Sequence, residues 1–159
     1  MSILYHAFAK AFITKGKWSQ PKAVGQDLEL IPLTDLSKVR VGDFVAFQVL
    51  LNRKPYHPKS IPPTKMFACG KYYGISQDEP DYYYGVWSNI HEGVGRIRVV
   101  ALGKWIVKVF VREPVTKDGP FKDVAGKVLE VGYIATATFT VRWQPLCNSV
   151  HSAGTNLIH

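Results

Sequence analysis

Long apolar runs, closely spaced cysteines and catalytic motifs are what this sequence of 159 residues lacks. No window holds about 18 consecutive apolar residues, so no membrane-spanning helix is expected. The two cysteines, Cys69 and Cys147, lie far apart and match no metal or redox spacing. Export would allow them to pair; the equal alternative is two unconnected thiols, with Cys69 in a strand. There is no nucleophile elbow, no phosphate-cradling glycine loop, no H-E-x-x-H and no Cys-His arrangement. The carboxylates Asp78, Glu79 and Asp81 have no basic partner fixed by spacing. An enzyme is not expected. The opening MSILYHAFAKAFITKGKW has no basic segment ahead of a clean apolar stretch and no small-residue cleavage site, so it does not read as a signal peptide.

Acidic residues are the minority, 12 against 20 Lys and Arg, which leaves a net charge of +8. Such a balance draws a protein toward phosphates, anionic head groups or acidic partners. The cations are spread along the chain instead of gathered into runs, so a soluble basic surface is the plainer reading and no nucleic-acid partner is expected. An apolar share of 47%, with 13% aromatics, 13 Gly and 10 Pro, fits a folded sheet protein rich in turns.

Alternation supplies the strands. Along EVGYIATATFTVRW, the residues Tyr133, Ala135, Ala137, Phe139, Val141 and Trp143 form an apolar face opposite Ile134, Thr136, Thr138, Thr140 and Arg142, a mostly hydroxylated one. In GRIRVVALGKWIVKVFVRE, Ile97, Val99 and Ala101, then Trp105, Val107, Val109 and Val111, face inward opposite Arg96, Arg98, Lys104, Lys108 and Arg112. A hairpin turning at Leu102 to Lys104 is expected, Gly103 supplying the positive φ. Val45, Phe47, Val49 and Leu51 make a further face, entered from a Gly42-Asp43 corner and left through Asn52, Arg53 and Lys54. LELIPL is an edge strand because Pro32 removes a donor. Lys65 to Cys69, the aromatic DYYYGVW and the amino-terminal YHAFAKAFI complete the set, and Gly70 to Pro80 reads as a loop. Seven to nine short strands describe an all-β domain, an antiparallel β-sandwich of immunoglobulin-like or transthyretin-like shape, over residues 1–143, with 144–159 a poorly ordered tail.

Two local features suggest ligands. In an aromatic strand beside a Gly-rich segment, alternation puts Tyr82 and Tyr84 on one face and Trp87 on the other; one set is core, and the outward set is a recognition patch, since such amphipathic rings stack on sugars or peptides. This points to a carbohydrate- or protein-binding adhesion module. Of the five histidines, His91, next to Glu92, is the nearest to a local metal pair, and imidazole suits nickel, cobalt or zinc. Adjacent strand residues point to opposite faces, so an exposed turn histidine is the simpler account.

The order of LELIPLTDL, VGDFVAFQVLLNRKP, LGKWIVKV and YIATATFTV resembles a bacterial family of unknown function described as a periplasmic component of cobalt or nickel transport systems. The features fall on Glu29, Pro32 and Leu33, on Gly42 and Asp43, on Lys54 and Pro55, on Gly103 and Trp105, and on Ala135 to Val141. The resemblance implies an exported or periplasmic binding or accessory module, a nickel or cobalt ion as ligand and a membrane metal transporter as partner. It also implies an exported leader and an amino-terminal half with an early histidine, a half that is missing or very short here. Arg53 stands where that family has a turn glycine.

Overall fold

The computed structural model describes residues 2–59, 63–71, 83–119 and 121–143. These form nine strands and a three-residue 3-10 turn at Lys122–Val124. The strands are β1 (Ile3–Ala11), β2 (Leu28–Pro32), β3 (Phe44–Leu51), β4 (Lys54–Pro55), β5 (Lys65–Lys71), β6 (Tyr83–His91), β7 (Val94–Arg98), β8 (Gly103–Pro114) and β9 (Glu130–Val141). The all-β expectation holds, and the amino-terminal segment is a strand.

One hydrogen-bonded path runs β1-β9-β8-β5-β6-β7-β3-β2, with β4 attached to β3. The sheet curls until it is nearly closed into a barrel. Its curl turns on β6, which pairs with β5 from Tyr83 to Asn89 and with β7 at Ile90 and His91. One core lies inside: Phe47 of β3 meets Phe139 of β9, ring centroids 6.0 Å apart, and Phe139 stacks on Trp105 of β8. The inward faces are those that alternation assigns on β8 and β9 and, from Val45 to Val49, on β3. Two places depart from it: at the end of β3 Leu50 is buried and Leu51 only partly so, and Trp143 lies past the end of β9 and is exposed.

Two pairings differ from the expected antiparallel neighbours. β1 runs parallel to β9, Ile3 opposite Glu130 and Ala11 opposite Thr138. The expected hairpin of β7 with β8 does not form: β7 pairs with β3 and β6, and β8 with β5 and β9. Val99 to Leu102 instead crosses between the two halves of the sheet. Val99 and Ala101 are buried, the amide of Gly42 donates to Val99 O at 2.8 Å, and Trp105 Nε1 donates to Ala101 O at 3.0 Å. An apolar link bonded at both ends is stabler inside than as an exposed turn.

Turn chemistry fixes the hairpins that do form. Asn52 and Arg53 both have positive φ, 50° and 66°, between the paired Leu51 and Lys54, as a two-residue hairpin with the sheet's own twist requires. Glu92 and Gly93 repeat this between β6 and β7. Edge strand β2, as Pro32 implies, closes the path opposite β1. Across that seam Lys10 of β1 donates to the carboxylate of Glu29 of β2, which also accepts from the amides of Val24 (2.7 Å) and Gly25 (3.2 Å). Burial would raise the Glu29 carboxyl, but these donors and the ammonium outweigh it and hold it below its ordinary value.

Candidate functional site

The site is built on the outward positions of β6, β5, β8, β9 and β1, because strand residues of one parity share a face. Register aligns them in rows. Trp87 of β6 faces Phe67 of β5, Phe67 faces Lys108 of β8, Lys108 faces Thr136 of β9, and Thr136 faces Ala9 of β1. The next row is Gly85, Cys69, Ile106, Thr138 and Ala11.

Trp87 is 66% exposed and lies against Phe67, ring centroids 4.5 Å apart. Such a pair leaves a large apolar face in water, a cost that a bound partner would relieve. Beside it an open trough of about 500 Å³ is lined by Cys69, Ile106, Thr138, Ile13, Lys104 and Thr140, among others. At the far end Tyr5 and Phe110 stack over Gly132, where a Cβ would come within 2.9 Å of the Tyr5 ring. Lys65, Lys104, Lys108 and Arg112 are exposed on this face. Among the described residues its one carboxylate at an outward strand position is Glu130, which lies 3.7 Å from Arg112.

The residues expected from sequence fare unevenly. Trp87 lies on the face, at the β6 end of its row. Tyr82 lies outside the described residues, as do Asp78, Glu79, Asp81 and Cys147. The backbone of Tyr84 pairs with Gly70, which extends β5 into the segment read as loop. His91 is exposed at the last position of β6, on the rim of the hairpin and remote in register from Trp87's row. Among the described residues no three His, Cys, Asp or Glu side chains come together as metal ligands.

Phe67, Cys69, Ile106 and Thr138 were not anticipated. The available signal was Ile106 and Phe110, two apolar residues on the face of β8 that otherwise carries Lys104, Lys108 and Arg112. Inside the sheet, His6 packs on Tyr133, ring centroids 5.4 Å apart, and its Nε2 is buried without a hydrogen bond. Burial first, then the carboxylates of Glu113 and Asp27, push the Tyr133 phenol up to about 12, so it stays neutral at ordinary pH.

An all-β module with an aromatic and basic outer face is therefore the class defined by fold and surface. The chain belongs to the family described as a domain of unknown function, DUF4198, whose model matches residues 1–113. The match ends within β8, while β9, which sits between β1 and β8 in the sheet, follows it. No curated protein and no solved structure matches the chain. Among the described residues no helix is long and apolar enough to cross a membrane.

Proposed function

We propose that the protein is a non-enzymatic binding or accessory module that holds its ligand on the outer face of β6, β5, β8, β9 and β1. The observation that carries the reading is the exposed Trp87 packed against Phe67, beside a trough and on a face where, among the described residues, exposed cations outnumber the one outward carboxylate, Glu130. Rings with a wet edge and an apolar body are the anchors that binding surfaces favour. This is the adhesion reading, with Trp87 as its anchor. The scaffold is read as kin to immunoglobulin-like or transthyretin-like sandwiches, because β6 changes partners at its end, from β5 to β7 at Ile90 and His91, as a strand shared between two layers does.

The setting attached to this module is export to the periplasm and association with cobalt or nickel uptake beside a membrane metal transporter. That setting rests on the resemblance described above; in it, His91 is the residue offered to the metal.

One set of titrations separates the face from the hairpin. Calorimetry with nickel, cobalt and zinc, and with a panel of oligosaccharides and peptides, is run on the wild type, Trp87→Ala and His91→Ala. The expected result is a panel ligand whose binding weakens about tenfold in Trp87→Ala, a loss of roughly 1.4 kcal/mol, with the strand circular dichroism unchanged. Metal binding that is lost in His91→Ala, with no ligand dependent on Trp87, would move the function to the hairpin.

A further inference from the structure

Resting on the outer face as the recognition surface, we infer that its ligand is an anionic polysaccharide, a sugar chain bearing carboxylates or sulfates, laid across the strands. Three chemistries meet there in the order such a chain would use them. Trp87 and Phe67 give an apolar platform for the C–H face of a sugar ring. The β9 residues Thr136, Thr138 and Thr140 place hydroxyls in a line down the neighbouring strand. The Thr136 and Thr138 hydroxyls donate long bonds of 3.4 Å to the Phe8 and Lys10 carbonyls, which leaves their lone pairs for sugar hydroxyls. Lys108 stands between platform and hydroxyls in the same row, and Lys104 borders the trough. With strands about 4.8 Å apart, the row from Trp87 to Ala9 spans about 19 Å, room for several sugar units.

Charge and shape disfavour other occupants. A second copy would set these cations against their own kind. A bilayer suits a broad apolar patch, whereas here the exposed Lys104, Lys108 and Arg112 alternate with Ile106 and Phe110 along β8. An acidic peptide is captured most readily at a strand edge through its main chain, and this face offers only side chains.

The test uses the intact protein and defined probes: an oligomer of uronic acid, a sulfated oligosaccharide, a neutral oligosaccharide of equal length, polyglutamate, oligo-dT and phosphatidylserine vesicles. The expected result is binding of the uronate or the sulfated chain that weakens with added salt and about tenfold in both Trp87→Ala and Lys108→Ala, while Trp87→Phe keeps most of it. The first two arms tell carboxylate from sulfate. Equal binding of polyglutamate, indifferent to Trp87→Ala, would reduce the face to bare charge attraction and overturn the inference. Preference for oligo-dT or vesicles would overturn it too. If another ligand of the panel binds in preference and depends on Trp87, the recognition face stands and the anionic polysaccharide falls; if no binding depends on Trp87 or Lys108, both fall.

Discussion

Trp105→Ala is expected to cost about 3–5 kcal/mol of stability, the range for emptying a buried indole site. Trp105 is 1% exposed, stacks on Phe139 at 17° between planes and donates to the Ala101 carbonyl at 3.0 Å. The substitution removes that packing and leaves a buried carbonyl without its donor. The same ring dictates Gly70 on β5, where a Cβ would stand 2.8 Å from Trp105 Cε2. A rigid indole cannot swing aside as a flexible chain could, so Gly70→Ala is also destabilising. The two costs should not add: with the indole gone, the methyl of Gly70→Ala enters the space it leaves. Urea unfolding of both single variants and the double variant measures this coupling. Additive losses would mean that the two residues do not share one space.

Breaking the seam pair is expected to cost a similar amount. Glu29 is fully buried and Lys10 largely so, and removing one partner of such a pair typically costs about 3–5 kcal/mol because the other charge stays behind. Lys10→Met leaves the carboxylate only the amides of Val24 and Gly25. The pH dependence has a fixed sign. Because the folded carboxyl lies below its ordinary 4.5, its contribution is complete above that value and is lost as pH falls from there through the folded value. Denaturation between neutral pH and pH about 3 should show a decline in the wild type that is shallower in Glu29→Gln. An identical decline in both would remove Glu29 from the account of the seam.

The sequence carried the faces of the strands better than their partners. Alternation is local, so Val45 to Val49, Trp105 to Val111 and Tyr133 to Val141 could be assigned sides from their own neighbours. Pairing is not local. Nothing near Ile3 announces that it meets Glu130, and Gly103 looks the same whether it closes a hairpin or ends a crossover. The site suffers from the same limit. Trp87 was legible as an aromatic in an aromatic strand, but Phe67, Cys69, Ile106 and Thr138 come from other strands and meet only through the sheet order. The missed clue was chemical: Ile106 and Phe110 interrupt the charged face of β8, and Ile106 is exposed on the same side of the sheet as Trp87.

The most direct measurement is an amide and indole NMR titration of the isotope-labelled protein with the uronate and sulfated oligosaccharides. The account predicts shifts that start at the Trp87 indole and spread along its row through Phe67, Lys108 and Thr136, with the trough residues Cys69, Ile106 and Thr138. Shifts confined to the His91 hairpin, or spectra unchanged by either ligand, would contradict it.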